Sequence, residues 1–139
     1  MLELLAASYD LRMTDIPGLL KTIYLGDRAC KSVKINGWTS SVAIEVDCIS
    51  RVRGAEWSFY TDEDLEGGFL VFEGVSSIEF QPPGLMPNDY FGDFRAEPSS
   101  LPGRWRVIFE ISSIQGGCVE IAIDAAGMHL QDSTGAKVS

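Results

Sequence analysis

The sequence predicts a mainly β (α+β) domain. We expect an antiparallel sheet of about seven strands, folded as a sandwich or an open half-barrel, with one short N-terminal helix. Two observations predict it: apolar and polar residues alternate over several short segments separated by turn residues, and only one segment begins like a helix. With 139 residues and 45% hydrophobic content, the chain can bury one core, so residues 1–139 form one domain in which 132–139 are expected to fray.

The helix is predicted to begin near Asp15 and to end at Gly26. Thr14 or Asp15 can accept hydrogen bonds as the N-cap, and Pro17 suits the first turn, where its missing N–H costs nothing. An apolar stripe follows, formed by Leu19, Leu20 and Ile23.

Two hairpins are predicted from the alternation pattern. Asn36-Gly37 favours a two-residue type I′ turn, which pairs Ile35 with Trp38 and Val33 with Ser40. The second hairpin joins strands over 105–112 and 118–124 through a glycine turn at 115–117, and a last short strand over 128–131 can pair again. That last strand carries few charges, so we expect a poorly protected edge there.

The middle of the chain is predicted to hold strands over 56–60, 69–72 and 76–80. The second of these is apolar on both faces, which indicates a central, covered strand. Pro82 and Pro83 end the strand region because neither can donate to a ladder, and a loop is expected over 85–101.

The charge is concentrated in one segment. The formal net charge is −9, and residues 56–97 carry all of it, with ten acidic residues against the single base Arg95. This disfavours binding to nucleic acid, which needs basic patches. The segment is either a solvated acidic surface or one that recognises a basic protein, with interleaved aromatic residues as anchors. The predicted partner-binding residues are Trp57, Tyr60, Asp62, Glu63, Asp64, Glu66, Asp89, Tyr90 and Asp93.

Catalytic and metal-binding patterns are weak. Asp62, Asp64 and Glu66 fall at the first three ligand positions of an EF-hand loop, with Glu73 at position twelve, but Leu70 stands at position nine and the flanks resemble strands. An acidic turn is therefore preferred, and we expect no metal and no cofactor. The alternative is a small β-sheet enzyme or a ligand- or divalent-cation-binding module that uses clustered carboxylates.

The remaining chemical signals favour a cytoplasmic protein with no membrane segment. The N-terminus lacks a basic region followed by a long apolar run, so no export signal is expected. Three widely spaced cysteines, Cys30, Cys48 and Cys118, favour core or near-core thiols over disulfides or zinc. The single His129 has no identifiable nucleophile and is expected to lie at the surface or on an edge strand.

Four segments together resemble a small bacterial family of unknown function: TIYLGDR (22–28), YTDED (60–64), VFEGVSSI (71–78) and PNDY (87–90). The likeness spans roughly residues 18–131. That family is similar to the immunity proteins of polymorphic-toxin and contact-dependent inhibition systems. The resemblance implies an inhibitor that occludes a basic toxin, such as a nuclease, and it assigns no catalytic residue. We also expect a weak homodimer, through the 128–131 edge or an aromatic patch near Trp105.

Overall fold

The fold is mainly β, as predicted, in a computed structural model that describes residues 15–51 and 65–138. Those residues form one short helix and eleven strands, more than the seven expected, because several strands are too short to show alternation and one lies in the predicted loop. The elements are α1 (Ile16–Leu20), β1 (Ile23–Tyr24), β2 (Cys30–Asn36), β3 (Ser41–Val46), β4 (Cys48–Arg51), β5 (Leu65–Glu66), β6 (Phe69–Glu73), β7 (Ser77–Gln81), β8 (Phe91–Pro98), β9 (Trp105–Ser112), β10 (Cys118–Ala125) and β11 (Gly127–Gln131).

The strands form three antiparallel sheets. Sheet I has the order β11-β6-β3-β2, sheet II has the order β7-β10-β9-β8, and a small sheet has the order β1-β4-β5. The chain crosses from sheet I to sheet II between β6 and β7, and it crosses back between β10 and β11. Strand β6 is central and covered, as predicted, with Leu70, Val71 and Phe72 all buried.

The core lies between sheets I and II, which gives a sandwich-like arrangement. Val42 and Leu70 of sheet I and Ile121 of sheet II belong to one cluster of buried apolar side chains. The rings of Phe72 and Phe109 meet edge to face across this core, with their centroids 5.9 Å apart. Burial of both inner faces therefore holds the two sheets together.

The helix begins as predicted but is shorter. Asp15 caps it by accepting a hydrogen bond from Gly18 N (3.2 Å), and Ile16 and Leu20 are buried. It ends at Leu20 rather than near Gly26, because the Thr22 hydroxyl donates a hydrogen bond to the Leu19 carbonyl oxygen at 2.7 Å. The chain then enters β1 at Ile23. No helix in the two described ranges is long and apolar enough to cross a membrane.

The β2–β3 hairpin exists, but its predicted register is wrong. A four-residue connection replaces the two-residue turn, so that Ile35 pairs with Val42 and Val33 pairs with Ile44. The Asn36 side chain accepts a hydrogen bond from Thr39 N at 3.2 Å, which stabilises the wider loop. The shift places β-branched residues opposite one another, a better match than the predicted pairs.

The second hairpin, β9–β10, is confirmed, whereas the last strand differs from expectation. Strand β11 pairs with β6 of sheet I rather than staying beside β10. The chain then folds back over its outer edge: Val138 N donates to Leu130 O, and Asp132 N donates to Ala136 O, both at 2.9 Å. The segment that follows β11 therefore pairs with the Leu130–Gln131 end of this edge.

The predicted loop over 85–101 is wrong because it contains β8. The strand lies at the edge of sheet II, and its pairing with β9 shifts register between Phe91 and Phe94. Gly92 and Asp93 fall within this irregularity, and Pro98 ends the strand. Glycine, aspartate and proline are depleted in strands, but an edge strand with a bulge tolerates them.

Candidate functional site

The start of β8 brings together three of the predicted partner-binding residues: Asp89, Tyr90 and Asp93. Backbone contacts fix this segment against the chain before β2. Cys30 N donates to Asp89 O at 3.0 Å, and Tyr90 forms an isolated bridge with Ala29. Tyr90 is 54% exposed, so this short segment places an aromatic residue and two aspartates at the surface.

A cleft of about 400 Å³ opens between this part of β8 and the end of β1. Its volume falls in the range of small-ligand pockets, roughly 300–1,000 Å³. Leu25 and Phe91 are its buried apolar residues, whereas Asp27 and Asp93 are exposed. The lining residues are Tyr24, Leu25, Gly26, Asp27, Phe91, Gly92, Asp93 and Phe94.

Local backbone geometry shapes the wall of the cleft. Asp27 has a positive φ of 59°, a conformation that Asp and Asn tolerate better than most residues. Arg28 N closes the turn by donating to Leu25 O at 3.0 Å. A Cβ at position 26 would overlap the Tyr24 ring, so glycine allows that ring to lie over the turn. Neither Tyr24 nor Asp27 is among the site residues predicted from the sequence, although both lie in the family-like segment 22–28.

Among the residues that the structure describes, the other acidic side chains of the 56–97 segment do not line this cleft: Glu66, Glu73, Glu79, Asp89 and Glu97. Glu66 is exposed on β5, at the opposite edge of the small sheet from Tyr24. Glu73 Oε1 lies 3.0 Å from His129 Nδ1 in sheet I, and Glu79 Oε1 lies 3.4 Å from Arg106 Nη2 in sheet II. Trp57, Tyr60, Asp62, Glu63 and Asp64 lie outside the described residues.

The part of the EF-hand-like segment that the structure describes is strand. Residues 65–66 and 69–73 belong to β5 and β6, whereas an EF-hand loop leads into a helix. Glu73, the residue at position twelve, contacts His129 instead of facing a loop. Among the described residues, no three side chains of His, Cys, Asp or Glu gather as a metal site would require.

His129 was predicted to lie either at the surface or on an edge strand. It lies on edge strand β11 and is buried. Its Nδ1 faces Glu73, and its Nε2 lies 2.9 Å from the Gln131 side-chain nitrogen. Burial lowers the pKa of His129 below its ordinary value, and Lys137 lowers it further, while the charge and hydrogen bond of Glu73 partly oppose this. Burial also raises the pKa of the Cys30 thiol to about 11, which makes it unreactive.

The lowered pKa of His129 predicts a loss of stability in mild acid. The folded state binds this proton less readily than the unfolded state, in which the imidazole pKa is about 6.5. The contribution of neutral His129 is therefore present above that value and is lost as the pH falls below it. We expect His129→Gln to flatten the dependence of unfolding free energy on pH between about 7 and 5 in urea titrations.

The chain has one histidine, so no other imidazole can produce this change. Glu73→Gln serves as the matched variant, because it removes the charge that favours the protonated imidazole. We expect it to make the acid-induced loss of stability steeper. An unchanged profile in both variants would contradict the assignment.

The prediction that the cysteines are core or near-core thiols is correct for Cys30, which is buried. It is wrong for Cys118, which is exposed at the start of β10. Cys48 lies between these extremes. The three cysteines therefore differ in burial, although the same position was predicted for all of them.

The fold and the cleft define a class: a small, sandwich-like β protein with an acidic cleft and an exposed aromatic residue. The chain belongs to DUF6258, a family of unknown function whose model matches residues 13–139. Neither the curated proteins nor the solved structures contain a match. The likeness to immunity proteins therefore stays a prediction.

Proposed function

We propose that this protein is an immunity- or antitoxin-like inhibitor that binds a basic protein, such as a nuclease toxin, and occludes its substrate groove. The observation that carries the proposal is the cleft at the start of β8. There, the carboxylates of Asp27 and Asp93 line one opening of about 400 Å³, and Tyr90 is exposed beside it. The proposal includes a cytoplasmic site of action.

The cleft suits a lysine or arginine side chain. Such a side chain has an apolar stem and a cationic head, so its stem can pack along Phe91 while its head pairs with Asp27 or Asp93. Asp27 and Asp93 both line the cleft, and a carboxylate can accept paired hydrogen bonds from a guanidinium group. Tyr90 adds rigid apolar area, which is typical of residues that dominate binding energy.

The charge of the whole protein supports the same partner. A net charge of −9 attracts a basic protein over a distance and raises the rate of encounter, whereas it repels nucleic acid. A nuclease is basic where it binds phosphates, so an acidic inhibitor that covers this region blocks the substrate without any chemistry of its own.

The binding part of the proposal is tested with a fluorescent peptide of alternating arginine and serine. We expect Asp27→Asn with Asp93→Asn to weaken its binding about tenfold, equivalent to about 1.4 kcal/mol. Asparagine tolerates the positive φ at position 27, so the fold is retained. Fluorescence anisotropy at low and high salt measures the affinity, and we expect salt to weaken the wild-type complex.

The control removes the same number of charges elsewhere. Glu66 and Glu120 are both exposed and lie outside the cleft, so Glu66→Gln with Glu120→Gln should change the affinity less than twofold, about 0.4 kcal/mol. Equal losses in the two double variants would show that only net charge matters. Affinity that does not depend on salt would rule out charge pairing.

The inhibitory part is tested with a natural partner. The protein is used to capture basic proteins from its own cells, and each is assayed for nuclease activity with and without the wild-type protein or the Asp27/Asp93 variant. We expect the wild-type protein to suppress activity and the variant to do so at higher concentration only. Tight binding without any loss of activity would leave a binding protein that is not an inhibitor.

A further inference from the structure

A second cleft lies between α1 and β8. The helix contacts β11 and β8, which are edge strands of sheets I and II, so the cleft lies where the helix spans the two sheets. Its volume is about 250 Å³, and its lining residues are Pro17, Leu20, Lys21, Phe94, Arg95 and Ala96. A cavity of roughly 150 Å³ can hold a benzene ring, so this cleft has room for a small apolar group.

The apolar part of the cleft is fixed by its neighbours. The Phe94 ring stacks on the buried Phe109 ring, with their centroids 5.8 Å apart. Leu20 is buried at the end of the helix, and Lys21 N closes that end by donating to Pro17 O at 3.2 Å. The apolar surface is therefore formed before any ligand arrives, which lowers the entropic cost of binding.

The charge of this cleft is positive. Lys21 and Arg95 are both exposed, and no acidic residue is among the lining residues. Asp93 and Glu97, the acidic residues nearest to Arg95 in the sequence, are not among them either. Within residues 15–51 and 65–138, neither Lys21 nor Arg95 forms an ion pair or a side-chain hydrogen bond. Two cations without a carboxylate partner, beside an apolar surface, favour an anion that has an apolar part.

We propose that this cleft, named here the Lys21–Arg95 cleft, binds a small monocarboxylate with an apolar tail. The tail packs on Leu20 and Phe94, and the carboxylate pairs with the cations of Lys21 and Arg95. The tail is necessary because the net charge of −9 repels small anions over a distance, so apolar contacts must supply part of the affinity.

The Lys21–Arg95 cleft is distinct from the Asp27–Asp93 cleft. The two share Phe94 in their linings, but their charged residues have opposite sign, so a ligand that suits one is repelled by the other. The inference therefore does not depend on the proposed function, and a carboxylate ligand tests it without any protein partner.

The test is isothermal titration calorimetry of the purified full-length chain with octanoate as the probe. We expect saturable binding at one site per chain. Two related molecules separate the contributions: acetate keeps the charge and lacks the tail, whereas 1-octanol keeps the tail and lacks the charge. Each should bind at least about tenfold more weakly than octanoate, equivalent to about 1.4 kcal/mol.

A pair of double variants locates the carboxylate. Lys21→Gln with Arg95→Gln should weaken octanoate binding about tenfold or more. The matched control, Lys31→Gln with Lys34→Gln, removes the same number of charges from exposed positions outside the cleft and should change the affinity less than about twofold. All four positions are exposed, so circular dichroism should show an unchanged fold.

A further variant locates the tail. Ala96→Leu fills part of the cleft with a larger side chain, so we expect it to weaken octanoate binding about as strongly as the loss of both cations. Should Ala96→Leu fail to fold, Ala96→Val provides a smaller obstruction on a strand that suits valine.

Four results would overturn the proposal. They are no binding of octanoate to the wild-type protein, binding of acetate or 1-octanol as tight as that of octanoate, equal losses in the two double variants, and unchanged binding after Ala96 is enlarged.

Discussion

Replacing Phe109 with alanine is expected to lower the free energy of unfolding by about 3–5 kcal/mol. Phe109 is fully buried on β9, and its ring contacts three others, those of Phe72, Phe91 and Phe94, at centroid distances of 5.9, 6.1 and 5.8 Å. Alanine leaves a cavity between the sheets and removes all three aromatic contacts, each worth about 0.5–1.5 kcal/mol beyond its buried area. Urea denaturation followed by circular dichroism measures the loss.

Phe69→Ala is the matched control for this substitution. Phe69 is only partly buried, and Lys34 Nζ stands 5.0 Å from its ring centroid. The same atoms are deleted, but water can fill the space, so we expect a clearly smaller loss. If Phe109→Ala costs no more than Phe69→Ala, the aromatic cluster does not join the sheets. Should Phe109→Ala fail to fold at all, Phe109→Leu provides a milder cavity that remains measurable.

Gly74→Ala is expected to cost about 2 kcal/mol, because two effects add at this crossing between the sheets. Gly74 has a φ of +60°, where a non-glycine residue is strained by roughly 1–2 kcal/mol. An added Cβ would also stand 2.9 Å from the Ala126 Cβ, closer than two methyl groups tolerate. Thermal and urea unfolding measure the combined effect.

Two further variants separate these causes. Gly103 has a similar φ of +73° with open space around it, so Gly103→Ala reports the backbone strain alone. Adding Ala126→Gly to Gly74→Ala removes the methyl contact and should restore the part of the stability that exceeds the Gly103→Ala loss. A double variant no more stable than Gly74→Ala would exclude the contact as a cause.

Sequence patterns predicted the strands whose two faces differ or whose flanks are clear. Strands β9 and β10 alternate over most of their length, with interruptions at Ile108 and Ala122, and their glycine turn fixes the register. The β2–β3 register was wrong because Asn36-Gly37 has a strong local preference, and the pairing of Ile35 with Val42 outweighs it. Strand β8 was missed because it contains Gly92, Asp93 and Pro98, which are residue types depleted in strands. It forms nevertheless, because it pairs with β9.

The candidate site could be predicted only in part. Asp89, Tyr90 and Asp93 follow from the charge count, but Asp27 does not, because the bridge between Gly26 and Phe91 joins distant parts of the chain. Counting charge also treats residues 56–97 as one surface. The fold instead sends Glu73 to sheet I and Glu79 to sheet II, where each has a cationic or titratable neighbour.

The two crossings between the sheets have a consequence for synthesis on the ribosome. Sheet I is built from strands made early, β2, β3 and β6, and from β11, which is made after every strand of sheet II. The backbone links that close the crossing, from Ala126 N to Glu73 O and from Ser76 N to Asp124 O, also join early and late parts of the chain. The ribosome releases residues in order, so the edge of β6 that pairs with β11 stays unpaired until Gly127–Gln131 emerges. Sheet I is therefore completed only after all four strands of sheet II have left the ribosome.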